Sequence, residues 1–179
     1  MKVATLRDVL VDELQDLYDA EKQLVRALPK MARSASDPEL ENLFREHLEM
    51  TKGQVERLER VFGTLDQQPK SKPCAGMKGL ISEQQEIASE NRPAPMLDAG
   101  LLGAARKVEH YEMAGYTNSV ALAQQIGERD AARLLSETLK EETQTDRRLA
   151  QVGKRLAKEA SRMQVEEIEQ PSRGRKRAA

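Results

Sequence analysis

Leucine recurs at helical spacing along several long stretches of this chain, and acidic side chains interrupt the same apolar lines. Leu10, Leu14, Leu17, Leu24 and Leu28 draw the first line. Phe44, Leu48, Val55, Leu58 and Phe62 draw the second, with Thr51 on it. Ala105, Val108 and Tyr116 share a third face, and Leu135, Leu139, Leu149 and Leu156 a fourth. At about 100° per residue such lines mark amphipathic helices that must bury one face. Glu21 falls in the middle of the first line, Glu112 on the third with Glu109 beside it, and Glu142 on the fourth, with Asp146 one turn on. An unpaired buried carboxylate is costly, and it is kept where a proton, a cation or a metal compensates it.

Punctuation between the lines sets the organisation. Thr5 with Asp8 three residues later forms a capping box that starts the first helix. Pro29 is expected to kink that helix or end its regular part. The turn Ser34–Pro38 leads into a second helix over 38–62, which Gly63 is expected to stop. The Gln67–Pro73 stretch reads as an extended linker, Gly79-Leu80-Ile81 and Ile87 as a short helix, and Asn91–Pro95 as a further break. Third and fourth helices follow over roughly 96–126 and 128–160, divided at Gly127. The expected fold is all-α: two antiparallel hairpins packed as a four-helix bundle, with an extra short helix in the crossover. Residues 1–162 form the bundle domain. Residues 163–179 are a polar, basic tail, expected to be disordered because nothing in it offers burial to offset the entropy of ordering.

Composition agrees with helices and narrows the partners. Of the 179 residues 33% are charged and 3% aromatic, a mixture that favours helix over sheet. The net charge of -1 gives no global bias toward nucleic acid or membrane, so nucleic-acid contact is left to the basic tail as a minor alternative. No apolar run approaches the roughly 20 residues that span a bilayer. A single cysteine, Cys74, excludes an internal disulfide. With no signal-peptide core at the N-terminus, a cytoplasmic location is expected. Leu101, Leu102, His110 and Tyr111 lie off the core line and make a face apolar enough to suggest a homodimer.

Taken singly, each acid reads as readily as an ion-paired residue at a helix boundary. Four of them mid-helix point instead to a metal site, since acids converging in a bundle interior are how di-metal carboxylate centres are built. On the second helix His47, Thr51 and Gln54 face inward; His47 serves equally as a hydrogen-bonded core residue or as a ligand. His110 lies off the Glu112 face, and Glu49 points to solvent. Oxygen-rich ligation with one imidazole suits iron or manganese. The candidate metal residues are Glu21, His47, Gln54, Glu109, Glu112, Glu142 and Asp146.

The segments Asp16–Leu24, Glu46–Glu49, Val55–Glu59 and Lys107–Glu112, with Gly79-Leu80-Ile81 and Glu137–Glu142, resemble the YciE/YciF-type ferritin-like stress proteins of bacteria. The resemblance runs from Val3 to about Ala160. It implies a ferritin-like bundle, usually dimeric, associated with stress responses and similar to the rubrerythrin domain. It also implies metal ligands at Glu21, Glu109, Glu112 and Glu142. Two iron ions, or manganese, would then reduce peroxide or dioxygen or oxidise ferrous iron, with an external electron donor because rubredoxin cysteines are lacking. The chain departs from the pattern: Glu-x-x-His is absent from the second and fourth helices, Asp146 takes the fourth-helix histidine position, and Met50 replaces an acid. The alternative is a non-catalytic dimeric helical stress protein with a degenerate site, acting through protein or nucleic-acid contacts.

Overall fold

A computed structural model describes residues 3–169, with side chains through 162. It holds five helices: α1 (Leu6–Ser34), α2 (Pro38–Thr64), α3 (Ala75–Ser89), α4 (Ala94–Gln125) and α5 (Arg129–Glu169). There is no strand among the described residues, and no helix there is long and apolar enough to cross a membrane. Of the tail expected over 163–179, residues 163–169 instead continue α5, and 170–179 lie outside the described residues.

α1, α2 and α3 start where a side chain supplies a cap. The Thr5 hydroxyl accepts the Asp8 N–H, and Asp8 returns the bond to Thr5, closing the capping box. Asp37 caps α2 through the Leu40 N–H, with Pro38 in the first turn. Gly127, at φ 82°, ends α4 and lets the chain reverse into α5.

Pro29 does not end α1, which runs on through Met31 to Ser34. A proline in a helix interior costs about 3 kcal/mol; here the residues around it, Leu28, Met31 and Ala32, are buried and hold the helix in place. Gly63 does not stop α2 either. The left-handed residue is Asp66 at φ 51°, and the Gln67 N–H returns to the Phe62 carbonyl at 2.9 Å while Leu65 is buried.

α1 packs on α2 and α4 on α5, and contacts between α2 and α5 and between α1 and α4 join the two pairs. The connection from α2 to α4 runs the length of this assembly. It starts beside the α4–α5 turn, where Arg7 reaches both the Leu65 carbonyl and Glu128. Lys72 N–H then bonds to the Gln15 carbonyl, and Cys74 N–H to Asp19, so the linker is held along α1. α3 lies over α4 and α1, with Met77 fully buried beneath it. Leu101 and Leu102 are therefore buried in this chain's own core, and Tyr111 is half-buried beside Cys74. The surface that suggested a dimer is mostly covered from within: α3 and its lead-in lie on Leu101 and Tyr111, and α5 lies on Leu102 at Gly153.

The opposite end is clamped by charged groups. Asp98 of α4 is buried, and its Oδ1 accepts the Ser36 N–H at 2.8 Å. Arg155 of α5 grips Asp37 through two bonds, at 2.7 and 2.9 Å. The α1–α2 turn is thus held by both helices of the other pair. Asp98→Ala removes the hydrogen bond that the Ser36 N–H makes to a buried carboxylate, and we expect it to lower unfolding free energy by roughly 1–3 kcal/mol, with Asp98→Asn costing less because an acceptor remains. Urea unfolding of the metal-free protein measures this; an Asp98→Ala midpoint equal to the parent's would show that the clamp does not hold the turn.

Candidate metal centre

The apolar core comes in two blocks. One, toward the α1–α2 turn, contains Leu24, Leu28, Phe44, Leu101, Val108, Leu149 and their neighbours. The other, toward the α4–α5 turn, contains Leu10, Leu14, Leu17, Leu58, Tyr116, Leu135 and theirs. Between them every long helix contributes polar side chains. On α1 it is Glu21, between Leu17 and Leu24. On α2 it is His47, Thr51 and Gln54, between Phe44 and Leu58. On α4 it is Glu109 and Glu112, between Val108 and Tyr116. On α5 it is Thr138, Glu142 and Thr145, between Leu135 and Leu149. All of these are buried. The helical period placed these residues inward, and antiparallel packing brings them to one level.

His47, Glu109, Glu112 and Glu142 form the closest set. One ligand atom from each lies within 4.8 Å of every other. His47 Nε2 is 3.4 Å from a Glu109 oxygen. Glu109 and Glu112 stand three residues apart on α4, so a single helix presents two carboxylates to one point. Glu21 is fully buried beside this set, and its Oε1 accepts the Tyr116 hydroxyl at 2.5 Å. Gln54 donates its amide to Glu142. Thr51 is spent on its own helix, bonding to the His47 carbonyl.

Asp146 does not join. It sits on the outer side of the α4–α5 contact, paired to Arg106 at 2.7 Å and facing His110 at 3.4 Å. That pairing holds its carboxyl below the usual carboxylate range. His110 is 60% exposed, and Glu49 pairs with Lys52 at the surface, both as expected from phase.

The inner atoms lack partners. Both nitrogens of His47, both oxygens of Glu112, and one oxygen each of Glu21, Glu109 and Glu142 are buried with no hydrogen bond. Buried polar groups in native folds are nearly always satisfied. Here the orphans converge on one volume, and all can coordinate a cation. Burial pushes the Glu21, Glu109 and Glu112 carboxyls well above their ordinary range, and neighbouring carboxylates add to it. Glu142 is raised to about 7, again by burial first, while Gln54 and Arg57 oppose the rise. Burial lowers His47 to about 4, so its imidazole is neutral at pH 7 and free to ligate. Next to His47, Glu109 and Thr145 lies a cavity of ≈ 10 Å³, otherwise walled by apolar side chains such as Leu24, Phe44 and Val108. That is room for about one water. The donor set therefore fits a hard or borderline divalent ion bound by oxygen and imidazole.

Two supports were missed by periodicity. The Tyr116 hydroxyl was legible as inward-facing, four residues after Glu112, but not as the partner of Glu21 across helices. Arg57, Glu141 and Thr138 form a hydrogen-bonded group at the edge of the site, with Arg57 gripping Glu141 at 2.7 and 2.8 Å. Its only sequence signal is that Arg57 follows Gln54 by three and Glu141 adjoins Glu142.

Comparison with known proteins bears on this site. The family described as a domain of unknown function (DUF892) matches residues 5–162. Protein YciF of Escherichia coli (strain K12) is 44% identical over 154 residues, which are 86% of this chain and 93% of that protein. A crystal structure of the E. coli stress protein YciF matches with a TM-score of 0.84 at 43% identity, covering 88% of this chain and 99% of that one. YcfI from Rhodopseudomonas palustris matches at 0.82 with 39% identity, covering 83% and 95% of the two chains. A protein from Xanthomonas campestris pv. campestris, 24% identical, shares the fold at 0.70 over 90% of this chain and 99% of its own.

Proposed function

We propose, from the premise that this chain belongs to the DUF892 family and is a homologue of the stress protein YciF, that it is a ferritin-like stress protein holding a pair of iron or manganese ions in a four-helix bundle. The observation that carries this reading is the convergence of unpartnered, buried donors from all four long helices. His47, Glu109, Glu112 and Glu142 would hold the first ion. Glu21 would complete a second position with the carboxylates it adjoins. A bound divalent pair would supply two electrons, one from each ion, to reduce peroxide to water or dioxygen to peroxide, and ferrous iron as the substrate would be oxidised in the same exchange.

The chain's own residues prepare that chemistry. Glu109 and Glu112, three apart on a rigid helix, would both hold metal from α4. Tyr116 holds Glu21 in one orientation, and Gln54 holds Glu142, so both ligands are positioned before an ion arrives. Leu24, Phe44, Val108 and Leu149 close the space around His47 and exclude bulk water. Electrons for repeated turnover come from an external donor, since Cys74 alone cannot form a redox disulfide within the chain.

The test has two parts. Elemental analysis of protein purified without chelators should find iron or manganese approaching two per chain. Protein loaded with ferrous iron should then consume hydrogen peroxide or dioxygen in proportion to its metal. Metal-free protein from every preparation, together with no uptake on reconstitution, would return the chain to a non-catalytic helical role.

A further inference from the structure

The buried acids connect to solvent through an unbroken run of polar side chains on one side, the seam between α2 and α5. Gln54 donates its amide to Glu142, and the same nitrogen lies 3.1 Å from a Glu141 oxygen. Glu141 takes two parallel bonds from Arg57. Arg57 also bonds to Thr138 at 2.8 Å and faces Glu137 at 3.6 Å. Exposure is highest at the outer end: Glu142 is closed off, Glu141 is 29% exposed, Arg57 14% and Glu137 45%. The Gln54 carbonyl oxygen is buried on this path with no partner.

The other sides differ. Between α4 and α5, Asp146 is bonded to Arg106 and to none of the four ligand residues. Between α1 and α4, the Tyr116 hydroxyl closes on Glu21, and the Leu17 side chain lies directly against Gly115. The α2–α5 seam alone, among the described residues, offers half-exposed carboxylates hydrogen-bonded through one amide to a site carboxylate.

Building on the metal reading above, we propose that divalent cations reach the buried carboxylates across the α2–α5 seam, with Glu137 and Glu141 as outer stations and Arg57 as a built-in cation that holds the route shut until a metal displaces it. The same two Glu141 oxygens that accept the Arg57 fork are the hard donors a cation meets next after the more exposed Glu137. A divalent ion there competes directly with the guanidinium, which needs only to swing toward Glu137 and solvent. Gln54 follows as the next donor, since its free carbonyl can ligate while its amide releases Glu142. In the metal-free state the guanidinium offsets part of the charge of the acid layer. A bidentate grip makes the block specific to arginine; lysine would hold it at a single point.

The experiment follows cobaltous ion binding to the metal-free full-length protein by stopped-flow absorbance, with final stoichiometry measured in parallel. Arg57→Gln should speed uptake several-fold, and Glu141→Gln should slow it several-fold, both at unchanged stoichiometry. Arg106→Gln, on the opposite seam, should match the parent. Glu137→Gln, at an exposed position with little bearing on folding, should slow uptake most at low ionic strength, where exposed charges act furthest. Parent-like rates in Arg57→Gln, Glu141→Gln and Glu137→Gln would overturn the route, as would an Arg106→Gln effect of equal size. Loss of stoichiometry in Glu141→Gln would make that residue a ligand and overturn its role as a station. If the parent binds no cobalt, the metal reading itself fails, which is a different result from normal binding with unaltered rates.

Discussion

Metal-free protein titrated anaerobically with ferrous iron or manganese should melt at a markedly higher temperature. The unfolded chain has no arrangement of His47, Glu109, Glu112 and Glu142 to offer, so binding free energy becomes folding free energy. At a hundredfold excess over the dissociation constant the gain is about 2.7 kcal/mol per site, and about 4.1 at a thousandfold. For a domain of this size that corresponds to a rise of roughly 5–15 °C. Glu109→Ala combined with Glu142→Ala removes two of the four closest donors and should abolish the shift. Asp146→Asn should keep it, because Asp146 is spent on Arg106. Differential scanning calorimetry decides the matter. A parent protein indifferent to metal, or a double variant that responds like the parent, would sink the metal site.

The phase of the apolar lines carried much of this site, because burial in a helix is set by rotation about its axis. Glu21, Glu109, Glu112 and Glu142 fall on lines whose flanking apolar residues are mostly buried, and all four are buried with them. His47 and Gln54 followed the same rule on α2. What phase cannot carry is the partner. Asp146, four residues after Glu142, has nearly the same phase; Arg106 on α4 draws it to the rim. Leu101 and Leu102 looked exposed from their own helix, yet α3 closes over Leu101 and α5 packs on Leu102 at Gly153. Leu48, Val55 and Leu139, set on the core lines, are only half-buried. Pro29 was legible as a residue that breaks helices, but the burial that keeps α1 continuous comes from α2 and α4. Local rules gave the elements, and long-range packing chose among their faces.

Without metal, the protein should be less stable at about pH 8 than at about pH 6. A carboxyl whose pKa is raised in the folded state binds more protons folded than unfolded throughout the interval between the two values. Stability therefore falls as pH rises through that interval. For Glu142 the interval runs from 4.5 to about 7, so its last unit lies above pH 6 and contributes a loss of about 1 kcal/mol there. Glu21, Glu109 and Glu112 are shifted in the same direction and add to it. His47 acts oppositely: its folded value of about 4 lies below the ordinary 6.5, so it favours unfolding as pH falls through that window. Above pH 6.5 His47 is neutral in both states, and the carboxyls alone set the slope. Metal reverses the sign, because ligation needs deprotonated carboxylates, so the metal-induced rise in melting temperature should grow over the same range. Glu112→Gln isolates the effect. Both Glu112 oxygens lack partners and its neighbours are acceptors, so an amide there is better satisfied than a carboxylate. The metal-free variant should be more stable than the parent at about pH 8, with a shallower pH profile and a weaker response to metal. A parent profile flat from pH 6.5 to 8 would mean that these acids are not held at raised pKa, and that solvent reaches them.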